Sequence, residues 1–289
     1  MELKELQYFL AVAQEGTISG AAQALHVAQP SLSRQMRELE EHLGKTLFIR
    51  GNRKIILTEE GLILQRRANE IIQLMQKTEH EIINTGKDMS GDIYIGAAET
   101  YAVHYLTQAA VALRKTHPNI YFHISSGDTN DSMYQLEQGL IDFALLFYPP
   151  DIEKYNHIQL PISDSMVALM RKEHPLARKE GISFRRDLVT EPLIISRLAR
   201  DTAVRGIEIS SLNIVGTYNL AYNASIMVED GLGIALCFDS IVNINNRSDL
   251  CAVPITDMDT VIHPVIIWKK YQAMTHAAKA YIEILQQIE

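Results

Sequence analysis

The stretch Thr17-Ile-Ser-Gly-Ala-Ala-Gln-Ala-Leu-His-Val-Ala-Gln-Pro-Ser-Leu-Ser-Arg-Gln-Met-Arg37 encodes two short helices joined by a tight turn. Thr17 or Ser19 can cap the first helix. Ala21, Ala22 and Ala24 keep it thin enough for a second helix to cross closely, and His26-Val27-Ala28 permit the turn between them. Pro30 suits the first turn of that second helix, where a missing N–H costs nothing. Leu32, Met36, Leu39 and Leu43 then recur at steps of 4, 3 and 4, the spacing of a buried stripe. The opposite face carries Gln29, Ser31, Ser33, Arg34 and Arg37 near the helix start, where a recognition helix presents side chains to base edges and backbone N–H groups to phosphate. On its own, the stretch also fits an ordinary helical hairpin whose arginines solvate a face.

Working outward, Leu47-Phe-Ile-Arg-Gly-Asn-Arg-Lys-Ile-Ile-Leu57 reads as two short strands about a Gly51-Asn52 turn, with Arg50, Arg53 and Lys54 at the tip. A basic hairpin beside a recognition helix is a wing. It can reach phosphate or an adjacent minor groove while the helix occupies the major groove. On the N-terminal side, residues 3 to 14 form a supporting helix with Leu3, Leu6, Leu10 and Ala13 as its apolar stripe.

The net charge of −8 taken alone argues against a nucleic-acid partner, but its distribution does not. Residues 1–58 hold seven Lys/Arg against six Glu, so the acidity belongs to the rest of the 289-residue chain. Within residues 31–54 six basic residues face three acidic ones, which gathers positive charge on the helix and hairpin.

These residues also carry a family resemblance. The motifs run in order through Leu3-Lys-Glu-Leu-Gln-Tyr-Phe-Leu-Ala-Val-Ala13, Ser19-Gly-Ala-Ala-Gln-Ala-Leu25, Gln29-Pro-Ser-Leu-Ser-Arg34, Leu39-Glu-Glu-His-Leu-Gly44, Leu47-Phe-Ile-Arg50 and Leu57-Thr-Glu-Glu-Gly61. Together they resemble the LysR-type transcriptional regulators, and weaker echoes follow in Gly91–Gly96, Gly139–Leu145, His174–Ala177 and Val228–Leu236. The resemblance implies an α+β multidomain chain: an N-terminal winged helix-turn-helix, a long linker helix, and a two-lobed α/β effector domain shaped like a periplasmic binding protein. It also implies a homodimer that assembles into a homotetramer, double-stranded DNA with a two-part promoter site as partner, a small-molecule effector, and contact with RNA polymerase.

The boundaries expected from the residues are 1–58 for the DNA-binding domain, 59–90 for the linker helix and hinge, and 91–289 for the effector domain. Thr58-Glu59-Glu60 provides a cap and an acidic first turn for a helix running to about Asn84. Leu64, Ala68, Ile71, Met75, Thr78 and Ile82 alternate steps of 4 and 3 along it, as a coiled-coil seam does. The seam predicts a dimer, the alternative being that the stripe packs on its own body. Six positions leave parallel and antiparallel pairing open, and the resemblance implies antiparallel.

From residue 92 short apolar runs alternate with helical patterns, the signature of α/β sheets. Strands are expected at 92–97, 120–125, 143–147, 166–170, 193–196, 213–216, 234–238, 250–254 and 261–268, and helices at about 100–116, 130–139, 200–209, 219–230 and 273–287. One lobe is placed at 91–161 plus 266–289 and the other at 162–265. Ligands of such sheets bind at the carboxyl ends of strands. By resemblance, Thr100, Ser126, Ser196 and Tyr218 occupy positions that hold effectors, with Gly127 and Asn219 as neighbours; for each, the plainer role is an N-cap or turn hydroxyl. Glu99 would repel an anionic effector unless it points away or pairs with Arg197, so the residues leave the effector's charge open. Phe147 and Tyr148 are candidates to wall the cleft.

Cys237 and Cys251 are too few and wrongly spaced for a zinc site or a disulfide framework, and the histidines lack metal-ligand spacing. No nucleophile–base–orienter set and no Gly-rich phosphate loop is legible, so neither catalysis, a metal nor a cofactor is expected. The chain lacks a signal sequence and an apolar run of membrane-spanning length, so a cytoplasmic location without a membrane partner is expected. The alternatives are a cytoplasmic small-molecule receptor and an architectural DNA-binding protein without effector-controlled transcription.

Overall fold

The computed structural model describes residues 1–51, 54–83, 89–147, 149, 151–201, 212–241, 248–257, 261–271 and 274–288. The chain divides into two compact units, Met1–Ile83 and Asn84–Glu289.

In the first unit, α1 (Leu3–Glu15), α2 (Ile18–Ala24) and α3 (Gln29–Leu43) precede a two-stranded hairpin, β1 (Phe48–Arg50) and β2 (Ile55–Leu57), and the long α4 (Glu59–Ile83). Thr17 caps α2, its hydroxyl accepting the Gly20 N–H at 3.0 Å. His26 takes a left-handed conformation (φ 54°) in the turn to α3. Leu32, Met36 and Leu39 are buried with Phe9, Val12, Ala21 and Ala22 in one core. Four expected stripe positions differ, one on α3 and three on α1. Leu43 is exposed, because α3 ends there and Gly44 turns the chain at φ 62°. On α1 the buried set is Leu6, Tyr8, Phe9 and Val12 instead of Leu3, Leu6, Leu10 and Ala13; the ring of Phe9 is fully buried and packs against Phe48 at a tilt, with centroids 5.2 Å apart.

The hairpin pairs Phe48 with Leu57 and Arg50 with Ile55. Its body is tied to the helices at two places. Glu40 on α3 accepts the N–H groups of Leu47 and Phe48, and the Ile55 N–H donates to the Gly16 carbonyl at 2.7 Å. Thr58 caps α4 through the Gly61 N–H at 3.0 Å. Gly61 itself is required by close approach, since a Cβ there would stand 2.3 Å from the Leu47 carbonyl oxygen.

α4 is 25 residues, roughly 38 Å long. Its expected seam behaves in two ways. Ala68 is fully buried and Leu64 packs on the core of its own unit, whereas Ile71 and Ile82 are exposed, with Leu62, Ile63, Leu74 and Ile83 also open to solvent.

The second unit contains two five-stranded sheets. One has the order β4-β3-β5-β12-β6, built from β3 (Gly91–Ala97), β4 (Ile120–Ser126), β5 (Phe143–Leu146), β6 (Tyr155–Gln159) and β12 (Val265–Lys269). It is flanked by α5 (Val103–Thr116), α6 (Thr129–Glu137) and α8 (His276–Leu285). The other has the order β11-β7-β10-β8-β9, from β7 (Met166–Arg171), β8 (Leu193–Ser196), β9 (Ile214–Tyr218), β10 (Ile234–Phe238) and β11 (Leu250–Pro254), with α7 (Ala221–Glu229). The chain therefore crosses between sheets twice, and the two crossing segments pair with each other at Asp164 and Ile262.

Strand β6 was not among the expected strands; Tyr-Asn-His-Ile-Gln is mostly polar because it is an edge strand paired on one side only. The strand expected from residue 261 begins at Val265, after Pro264, which has no N–H to give a ladder. Of the helix expected at 200–209, Arg197–Asp201 is a 3-10 turn and residues 202–211 lie outside the described residues.

Candidate nucleic-acid interface and ligand crevice

On α3 the core-facing stripe leaves Gln29, Pro30, Ser31 and Arg34 exposed and Ser33 half-buried on the other side. The N-cap residue Ala28 offers no side-chain oxygen, so no side chain caps the first-turn amides. Arg34 is four-fifths exposed and its Nε donates to Glu38 Oε1 at 2.7 Å, which raises the guanidinium's already high pKa. Water screens an exposed pair of this kind, which contributes little. A bidentate arginine–guanine contact discriminates by about 1–3 kcal/mol, so Glu38 is too weak a partner to hold Arg34 away from a base. Arg37 donates to the Ser33 hydroxyl at 3.4 Å. At the hairpin Lys54 is exposed; Arg53 lies outside the described residues, and of Arg50 the backbone alone is described, paired with Ile55.

In the second unit the parallel strands β3, β4, β8 and β9 end on or just before the sequence positions expected to meet a ligand, and among the described residues three contacts there join one sheet to the other. Glu99, just after β3, accepts the Ala221 N–H at the first turn of α7 at 2.5 Å. Arg197, just after β8, donates through Nε to Asp128 Oδ2 at 2.9 Å and through its Nη2 to both Asp128 and, at 3.0 Å, Asp131. The rings of Phe147 and Phe238 pack at a tilt with centroids 4.3 Å apart. Glu99 thus neither points away nor pairs with Arg197. Asp128 is buried and caps α6; burial opposes its ionisation, but the Asp131 N–H and the Arg197 guanidinium outweigh it, and its carboxyl stays below the ordinary range.

The candidate hydroxyls are used differently. Thr100 Oγ1 accepts the Ala102 N–H at 3.1 Å, a turn role. The Tyr218 hydroxyl donates to the Leu236 carbonyl at 2.6 Å within its own lobe, and burial pushes its pKa up. Ser126 and Asn219 are exposed and Ser196 half-buried. Gly127 is buried, and a Cβ there would meet Asp131 Cβ at 3.1 Å. Tyr148 lies outside the described residues. Sequence reasoning missed Asp128, Asp131 and Phe238. The Asp-x-x-Asp capping box was the available signal for the first two, because two carboxylates so close call for a cation.

No group of three or more metal-ligating side chains occurs among the described residues, and none of their helices is long and apolar enough to cross a membrane. Both cysteines are held as thiols: burial pushes Cys237 up to about 12 and raises Cys251 as well.

Comparison with known proteins agrees with both halves of this geometry. Residues 3–62 match the bacterial regulatory helix-turn-helix proteins of the lysR family, and residues 86–288 match the LysR substrate binding domain. The chain is 31% identical to a hydrogen peroxide-inducible genes activator of Pectobacterium carotovorum over 68% of its own length, a match that spans 64% of that relative. Among solved structures it resembles CbnR, a LysR family transcriptional regulator, with a TM-score of 0.73 at 19% identity over 99% of each chain. It also resembles CbnR complexed with its target DNA, at a TM-score of 0.72. A helix-turn-helix with a supported hairpin, a two-sheet unit whose strand ends are bridged from one sheet to the other, and family matches covering both lead to one conclusion: the chain belongs to the LysR family.

Proposed function

We propose that the chain is a sequence-specific DNA-binding transcriptional regulator whose promoter binding is modulated by a small molecule held between the two sheets of residues 84–289. The observation that carries the reading is the exposed start of α3, where Gln29, Pro30, Ser31 and Arg34 face solvent beside the hairpin. In this account Gln29, Ser33 and Arg34 read bases, Pro30 and Ser31 lie close to the backbone, and Arg50, Arg53 and Lys54 bind phosphate or a minor groove. Residues 1–58 form the DNA-binding part, 59–90 the dimerisation helix and hinge, and 91–289 the effector part. Such a protein works where DNA is, in the cytoplasm.

The apolar positions of α4 that stand open, Ile71, Leu74 and Ile82 among them, support a dimer, and two heads call for a two-part DNA site. An effector that binds one arrangement of the lobes more tightly than another would shift the spacing of the heads, and with it DNA bending and polymerase contact. Thr100, Ser126, Gly127, Ser196, Tyr218 and Asn219 surround the proposed effector position; the Tyr218 contribution is its ring, since its hydroxyl is committed to Leu236.

The similarity to a peroxide-inducible activator does not extend to thiol sensing in this reading, because a thiol held above its ordinary pKa is a poor nucleophile. Selection of duplexes from a random pool by the purified full chain tests the proposal: enrichment of a two-part motif is expected, and recovery of unrelated sequences would contradict it.

A further inference from the structure

α7 begins at Ala221, and its N-cap residue, Leu220, supplies no side-chain acceptor. Its first-turn amide is instead bonded by a carboxylate from 122 residues upstream, on the opposite sheet. A helix N-terminus carries partial positive charge and favours an anion. Here the anion is part of the chain. The second bridge between the sheets adds two carboxylates, Asp128 and Asp131, around one guanidinium, Arg197. Among the described residues, these two bridges comprise three carboxylates and one cation, with the anion position of α7 already filled.

We propose that Glu99 is the charge filter of this crevice: as a built-in ligand of α7 it excludes carboxylate effectors and restricts the crevice to uncharged or cationic polar molecules. A group tethered in the same chain competes at an effective concentration in the millimolar range or above, which a free anion must exceed to displace it. A displaced Glu99 would also remain nearby as a repelling charge. An uncharged or cationic molecule meets neither obstacle. The proposal rests on the crevice being the effector site.

The test is amide hydrogen exchange at Ala221 in the full chain, without DNA or effector, in sodium chloride and in sodium acetate of equal ionic strength. In the wild-type chain exchange should be slow and the same in both salts. Glu99→Ala should speed it roughly tenfold in chloride, the order expected for losing a charged hydrogen bond, and acetate should slow it again by taking the vacated position. Glu99→Gln, which keeps the side chain's length, should give a smaller increase and guards against a loss of folding in the alanine variant. Unchanged exchange in both variants, an increase in Glu99→Ala that acetate leaves in place, or an effect of acetate on the wild-type chain would each overturn the proposal. Because neither DNA nor effector enters the experiment, its failure is distinct from a failure of the regulatory reading.

Discussion

Glu40 Oε1, on the recognition helix, accepts the backbone N–H of Leu47 at 2.8 Å, and so fixes where the hairpin leaves the helical core. The same oxygen takes the Phe48 N–H at 3.2 Å. One carboxylate therefore sets the position of β1 against α3, and its removal leaves two part-buried amides to find other partners. Glu40→Ala should destabilise residues 1–83 by about 1–3 kcal/mol, read by chemical denaturation, and weaken DNA binding through a misplaced hairpin. Glu40→Gln keeps an acceptor and should lose less. Equal stability of Glu40→Ala and the wild-type chain would show that the bond carries no weight.

Ile71 is two-fifths exposed on α4, downstream of the buried Ala68. A charge there costs the isolated chain little, but buried in a helix–helix seam it would be expensive. Ile71→Asp should leave the circular dichroism unchanged and convert dimers to monomers on sedimentation. Dimers of unaltered strength would place the seam elsewhere.

Cys237 and Cys251 both lie on strands that pair with β7, opposite Val167 and Met170 respectively. Two strand spacings and three residues along the strand put their Cα atoms roughly 14 Å apart, about twice the separation a disulfide spans. Hydrogen peroxide at millimolar strength should therefore leave the folded protein's thiol count and DNA affinity unchanged, as measured by thiol titration and anisotropy. Rapid loss of both thiols, with a change in DNA binding, would contradict this.

Asp187 accepts the Ser183 N–H and the Lys179 ammonium, and its carboxyl is lowered to about 2. A carboxyl depressed below its unfolded value of about 3.9 contributes stability that is complete above that value and fades as pH falls toward 2. The wild-type melting temperature should drop more between pH 5 and pH 2 than that of Asp187→Asn. Parallel curves would remove Asp187 from the acid response.

Much of the first unit was legible because its determinants are local. Leu32, Met36 and Leu39 sit within two turns of one helix, and Thr17 and Thr58 cap helices that begin next to them. Leu43 fell outside the core because burial depends on where a helix stops, and a single left-handed glycine decided that. The second unit was legible where strands are apolar on both faces, as in Phe143–Leu146, and illegible at the polar edge strand Tyr155–Gln159. Around the crevice, strand ends rich in hydroxyls marked the place. What each group does there was set by partners 69 and 122 residues away, as with Asp128 and Arg197, or Glu99 and Ala221, and no local pattern encodes such a pairing.

If α3 reads sequence while the hairpin binds backbone, substitutions on the two surfaces must change the salt dependence of DNA affinity in different ways. The wild-type chain, Arg34→Ala and Lys54→Ala are compared on a duplex from upstream of the gene and on its scrambled version. Wild type should prefer the upstream duplex and show a steep salt slope. Arg34→Ala should lose about 1–3 kcal/mol on that duplex alone, and Lys54→Ala should weaken both duplexes alike and flatten the slope by about one. Equal affinity of the wild-type chain for the two duplexes, with both variants unchanged, would contradict it.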